Sequence, residues 1–343
     1  MSQFKFSAGP WNVHEGADAF GPAVRKKIPF EKKVETFKRM GFDAVQFHDD
    51  DAVPDMNGLT DTQIREKAKG VRKILGNQGM AAEFVAPRLW EDYRTADGGF
   101  TSNSREDREF AMWRAYRSID IANELGCDKI VLWLAREGTL CAESKSAIEG
   151  VKRLIEAINK MLEYDKKIKV LIEPKPNEPI DRSFCPTIGH VMGISAATAD
   201  PSRVGGLLES AHAILAGLDP ANEIAFGLAF GKLWGVHLND QNGMKYDQDK
   251  AFGVENLRQA FNQIKALVEN NYGSHGEYIG LDVKAMRTQR DDACYKHLEN
   301  SMKIVKMLEE KARKFDYAFQ KKCVEERNYE ALEMYVVELL MNS

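Results

Sequence analysis

Short apolar runs alternate with longer amphipathic stretches along this chain. Eight runs read as strands: FKFSAGP (4–10), AVQFHD (44–49), AAEFVAP (81–87), KIVLWL (129–134), KVLIEP (169–174), RVGGLLE (203–209), LWGVHLN (233–239) and EYIGLDV (277–283). None alternates cleanly between polar and apolar positions, as expected of strands covered on both faces. Between them, stretches such as FEKKVETFKRMG, AIEGVKRLIEAINKMLEY and VENLRQAFNQIKALVENN repeat their apolar residues at helical spacing. Several end in Gly or Asn, which tolerate the left-handed turn that closes a helix. Serial β/α units predict an α/β protein, a (β/α)8 TIM barrel rather than an open doubly wound sheet. No GxGxxG lies between the first strand and helix, against a dinucleotide fold. The strands stop near residue 300, so the reading is a barrel over 1–303. A short C-terminal helical extension over 304–343 is expected to contact another subunit.

At 343 residues, 43% hydrophobic and 29% charged, the chain can bury one large core. The net charge of −4, without a basic block, speaks against nucleic acid as a partner. No apolar run approaches the roughly 20 residues that span a bilayer, so no membrane association is expected. The N-terminus, MSQFKFSAGPW, lacks the pattern of a secretory signal, and the five cysteines form no CxxC pair. Both features fit a cytoplasmic protein with reduced thiols.

In a barrel, the chemistry sits at the C-terminal ends of the strands. Here those ends carry His48, Asp49, Asp50 and Asp51; Glu173 and Lys175; Glu209 and His212; His237, Asn239, Asp247 and Asp249; Asp282 and Lys284. One strand-end aspartate is usually a helix cap. Carboxylates at five strand ends would repel one another in a single funnel unless cations neutralised them. Oxygen-rich ligation with one or two imidazoles suits Mg2+, Mn2+ or Co2+.

The stretches FHDDD (47–51), GGFTSN (98–103), WLAREG (133–138), EPKPNEP (173–179), PTIGH (186–190) and KYDQD (245–249) run in an order that resembles xylose isomerase, the shorter actinobacterial-type class. The resemblance implies a metal-dependent aldose–ketose isomerase with two divalent cations per subunit, a sugar substrate and a homo-oligomer, tetramer or dimer. It implies that His48, oriented by Asp51, assists ring opening, and that Lys175 polarises the carbonyl at C1. Glu173, Glu209, His237 and Asp282 would hold one cation. Glu209 would bridge to a second, held by His212, Asp247 and Asp249. Trp11, Trp133 and Phe20 would wall the substrate, Phe20 from a neighbouring subunit, and Asn239 and Lys284 would also lie against it. The reaction implied is ring opening followed by a 1,2-hydride shift, with a dry aromatic wall guarding the transfer.

Departures from the pattern cluster where the far end of the sugar would lie. APRLW (86–90) replaces a Thr-Thr-Asn-Leu-Phe type run, so Arg88 and Trp90 become candidate substrate contacts. His237 stands where xylose isomerases carry aspartate, an arrangement that L-rhamnose isomerases resemble. These changes point to a sugar other than D-xylose. The alternative is a sugar epimerase, or another sugar-processing barrel enzyme, that abstracts a proton at one metal. An abasic-site nuclease would want a basic rim, and a mere sugar binder would not need His48, Asp51 and Lys175.

Overall fold

The computed structural model describes residues 4–18, 20–244 and 246–342. Lys245 of the KYDQD run therefore lies outside the described residues. Eight parallel strands close a barrel: β1 (Phe6–Ala8), β2 (Ala44–His48), β3 (Ala81–Ala86), β4 (Lys129–Trp133), β5 (Lys169–Glu173), β6 (Val204–Glu209), β7 (Leu233–Leu238) and β8 (Ile279–Leu281). All eight expected strands are present, trimmed by one to a few residues where the expected runs reached into the loops. Closure is made by β1, which pairs with β2 on one side and with β8 on the other, Phe6 opposite Ile279.

The helices that cover the sheet are α1 (Phe30–Met40), α2 (Asp61–Asn77), α3 (Arg105–Leu125), α4 (Ala147–Tyr164), α5 (Ile188–Ala197), α6 (Pro220–Ala229), α7 (Leu257–Glu269) and α8 (Lys296–Arg313). Their ends are set by local chemistry. Thr60 and Gln63 cap the start of α2 reciprocally, and Ser104 and Ser146 accept from the first turns of α3 and α4. Gly41 and Gly126 end α1 and α3 in left-handed conformation. Helix α8 runs unbroken past residue 303, and α9 (Tyr317–Glu326) and α10 (Tyr329–Met341) follow it as the C-terminal extension. Among the described residues, no helix is long and apolar enough to cross a membrane.

Most of the core lies between the strands and the helices, where Phe37, Phe47, Ile119, Ile130, Leu154 and Phe261 are buried. A smaller cluster fills the barrel interior: Phe84, Ala86, Val131, Leu171 and Leu207, with Trp11 and Trp234 packed on it. It packs beneath the mouth beside a buried polar set, in which Gln46 donates to Ser7 Oγ at 3.1 Å and to Glu83 at 3.0 Å.

Candidate active site

Four neighbouring strand ends bring their donors together. Strands β5 and β6 end in Glu173 and Glu209, β7 carries His237, and Asp282 directly follows β8. Register sets Glu209 opposite His237. One ligand-type atom from each of these four residues lies within 4.8 Å of the others. His237 Nδ1 is 3.2 Å from Glu173 Oε1, 3.5 Å from Asp282 Oδ2 and 3.8 Å from Glu209 Oε2. The Trp11 indole donates to Asp282 Oδ1 at 2.7 Å and fixes that carboxylate. Gly280 makes room for the imidazole: a Cβ there would sit 2.4 Å from Gln46 Nε2 and 2.9 Å from His237 Cδ2.

Glu209 also belongs to a second group, with His212 and Asp247. His212 Nε2 is 3.3 Å from Glu209 Oε1 and 3.0 Å from Asp247 Oδ2. Lys175 Nζ reaches Asp247 Oδ2 at 2.9 Å and Glu178 Oε2 at 3.4 Å. Asn239 donates to Glu209 Oε1 at 2.8 Å and to Asp249 Oδ1 at 3.2 Å, and Lys284 pairs with Asp249 at 2.9 Å.

Charge in this cluster is unevenly tolerated. Burial, then Asp247, Asp282, Glu173 and Asp249, push the Glu209 carboxyl well above its ordinary range. Burial and Asp247 do the same to Asp249, against the opposing pull of Lys284. Burial would also raise Asp247, but Lys175 and His212 hold it well below its usual value. Glu173 is buried too, yet His237 brings it down to about 2. Burial would lower His237, but Glu173 and Asp282 outweigh it and raise the imidazole to about 9. The buried Glu209 and the half-buried Asp249 therefore call for a proton or a cation. Asp247 Oδ1, His212 Nδ1 and His237 Nε2 are buried without a hydrogen-bond partner among the described residues. Carboxylate oxygens supplemented by imidazole nitrogen form a donor set that fits a divalent cation.

Beside the donors lies a cavity of about 180 Å3, lined among others by Trp11, His48, Phe84, Ala86, Arg88, Trp90, Val131 and Trp133. That is below the roughly 300–1,000 Å3 of drug-sized pockets and suits a single small ligand. Larger grooves lie between outer helices, such as that between α1 and α8, without such convergent donors among the described residues. Trp90 packs edge-on to Trp133, with centroids 4.4 Å apart, and the Lys175 ammonium lies 4.7 Å from the Trp133 ring. His48 sits between Trp11 and Trp90. Its Nδ1 is 3.0 Å from Asp51 Oδ2 and 2.7 Å from Arg88 Nη2. His48, Asp50 and Asp51 are close enough together to resemble a cation site, but the Arg88 guanidinium occupies that seat, 2.8 Å from Asp50 Oδ1.

The sequence candidates thus fall into distinct places. Glu173, Glu209, His212, His237, Asp247, Asp249 and Asp282 converge and line the cavity, as do Trp11, His48, Arg88, Trp90 and Trp133. Asn239 is buried, and its amide serves Glu209, Asp249 and the Ala211 N–H. Lys284 is turned towards Asp249 and the Asp247 carbonyl. Phe20 is 84% exposed on this chain, and no cavity-lining contact includes it. Sequence reasoning missed Phe84 and Val131 as part of the wall. Their signal is the two-residue period that puts Phe84 on the face of Ala86, and Val131 on that of Trp133. It also missed Glu178, which accepts the Asp247 N–H at 2.9 Å.

Two quoted motifs are partly structural. Glu137 accepts from the backbone N–H groups of Gly99, Phe100 and Thr101, so WLAREG and GGFTSN meet as a loop brace. Asp49 makes a buried two-point ion pair with Arg114 at 2.7 and 2.8 Å and anchors the end of β2 to α3.

A family model described as a xylose isomerase-like TIM barrel matches residues 34–303. Among solved structures, a D-tagatose 3-epimerase-like protein superposes with a TM-score of 0.64 at 16% identity, covering 90% of this chain and 99% of that one. A 3-keto-D-glucoside 4-epimerase from E. coli gives 0.63 at 15% identity, covering 89% and 99%. An L-ribulose 3-epimerase gives 0.62 at 14% identity, covering 91% and 96%. At these identities the likeness is one of fold.

Proposed function

From the premise that the chain belongs to the xylose isomerase-like TIM-barrel family, we propose that it is a divalent-metal-dependent isomerase of a small sugar, converting aldose and ketose. The observation that carries this reading is Glu209, shared by two carboxylate–imidazole groups with Lys175 alongside. Glu173, Glu209, His237 and Asp282 would hold one cation, and Glu209, His212, Asp247 and Asp249 another. Bound there, divalent cations supply Lewis acidity to sugar oxygens and lower the pKa of water.

The chain's own groups do the rest. Trp11, Trp90 and Trp133 exclude water from the reacting carbons, which favours a hydride moving between C1 and C2 over a proton lost to solvent. Lys175, kept charged by Asp247 and Glu178 despite its burial, offers a positive pole to a carbonyl oxygen. The apolar floor of Phe84, Ala86 and Val131 gives the remote end of the sugar little to hydrogen-bond with, in keeping with a substrate other than D-xylose.

A second reading is favoured by the epimerase names of the superposed structures and by the first group alone, a one-cation set. There, carboxylates on the two sides of a bound ketose would exchange a proton with a carbon next to its carbonyl. One experiment separates the two readings. A panel of aldoses and ketoses is incubated with Mn2+, Co2+ or Mg2+ in D2O and followed by NMR. Aldose–ketose conversion without deuterium at carbon is the expected result. Inversion at one centre with deuterium uptake would establish epimerisation instead, and inertness towards every sugar defeats both.

A further inference from the structure

His48 Nδ1 has two neighbours that demand opposite things of it. Asp51 Oδ2, 3.0 Å away, can only accept a proton from it, whereas Arg88 Nη2, 2.7 Å away, can only donate one to it. The guanidinium is planar and permanently charged, so its N–H directions follow from its heavy atoms, and one of them points at Nδ1. It cannot easily swing aside. Nε donates to Asp50 at 2.8 Å, Nη1 donates to Glu91 at 3.0 Å, and the group lies 5.3 Å from the Trp90 ring centroid. Asp51 has other claims on its oxygens: Oδ2 accepts the His48 backbone N–H at 3.0 Å, and Oδ1 is 3.9 Å from Arg88 Nη2. A proton on Nδ1 would meet the guanidinium N–H head-on, in the neutral Nδ1–H tautomer and in imidazolium alike.

We propose that Arg88 is a positioning residue that fixes His48 as its Nε2–H tautomer, making His48 a hydrogen-bond donor to a substrate oxygen rather than a proton-transfer group in ring opening. Nε2 is the ring nitrogen left over. His48 lines the cavity, and Nε2 has no hydrogen-bond partner among the described residues. With Nδ1 accepting from Arg88, Nε2 has no lone pair to take up a proton, and giving up its own would leave an imidazolate. It can hold an acceptor oxygen and little more. The sugar-directed part of this inference rests on the isomerase reading, whereas the tautomer does not.

The tautomer is read by long-range 1H–15N correlation on protein with 15N-labelled histidine, with His48 assigned by its loss in His48→Asn. The wild-type spectrum should show Nε2 protonated and Nδ1 bearing the lone pair. In Arg88→Met the proton should move to Nδ1, towards Asp51. A wild-type spectrum with Nδ1 protonated at neutral pH overturns the proposal, whether or not Arg88→Met folds. With an active sugar in hand, His48→Gln keeps an amide N–H donor. It should raise KM by about tenfold or less, the scale of one altered hydrogen bond, and leave kcat nearly intact. The factor should be equal for a cyclic aldose and for glyceraldehyde, which is too short to close a ring. A much larger loss on the cyclic sugar restores ring opening to His48 and overturns the proposal. A protein that isomerises no sugar sinks the isomerase reading and leaves the tautomer to the spectrum.

Discussion

At the residue scale, Glu209 stands apart because two groups of donors draw on it. Glu209→Gln should weaken Mn2+ binding at both groups. Glu173→Gln should weaken it chiefly at one, because among the described residues Glu173 groups with the set around His237 and approaches the other set at His212 Nδ1, 3.8 Å away. Titration calorimetry with Mn2+ checks this, and equal loss at both groups in Glu173→Gln would show that the division is wrong. His237 invites a separate test. Imidazole is a softer donor than carboxylate, so His237→Asp should shift affinity towards Mg2+ relative to Mn2+ and Co2+. A ratio of Mg2+ to Mn2+ affinity that does not change would remove His237 from the ligands. These residues were legible in the sequence because each follows or ends a strand, where a barrel presents its side chains. The contest over His48 was not legible. Arg88 lies 40 positions away, and only the pairing of β2 with β3, His48 opposite Ala86, brings it alongside.

At the scale of elements, the run of three aspartates after β2 does three jobs. Asp49 anchors to Arg114 on α3, Asp50 takes the Arg88 guanidinium, and Asp51 turns back to His48. The sequence could not divide them, because the chain passes there from a strand into a single helical turn, Asp49–Ala52, and consecutive side chains fan out instead of alternating. The strands themselves were legible because their apolar runs are covered by the inner cluster and by the helix layer. Arg114→Met should leave the Asp49 carboxylate buried without its cation, with the Asp50 and Arg88 backbone N–H groups and the Ser118 hydroxyl still donating to it, a loss of up to about 3–5 kcal/mol. Urea unfolding followed by circular dichroism measures it, and a loss under about 1 kcal/mol would mean that the brace contributes little.

For the whole molecule, the donor cluster ties stability to pH and to metal. Without a cation, Glu209 and Asp249 carry raised pKa values, so their contribution to stability is present at low pH and is lost as pH rises through those values. His237, raised to about 9 from an ordinary 6.5, behaves alike: its contribution is full below 6.5 and gone above about 9. Glu173 and Asp247 oppose this only in acid, where their lowered values cost stability as pH falls, for Glu173 towards about 2. Chelator-treated protein should therefore lose thermal stability from neutral to alkaline pH. Saturating Mn2+ should flatten that slope and add about 2.7 kcal/mol at a hundred times its Kd. Scanning calorimetry at several pH values tests both, and parallel slopes with and without Mn2+ would uncouple the cluster from stability.

The order in which the strands supply the cavity has a consequence for how the protein could change. Strands β1 to β4 and the residues just after them bring Trp11, His48, Phe84, Ala86, Arg88, Trp90, Val131 and Trp133, while β5 to β8 and their loops bring the carboxylates and both imidazoles of the donor groups. What is held and whether the chemistry is charged are thus written in different halves of the gene. Drift in the first half can retailor the guest while leaving the donors of the second in place, and the hydrogen bond from Trp11 to Asp282, one of the contacts that cross the seam, is where a new preference would be felt as a change in metal affinity.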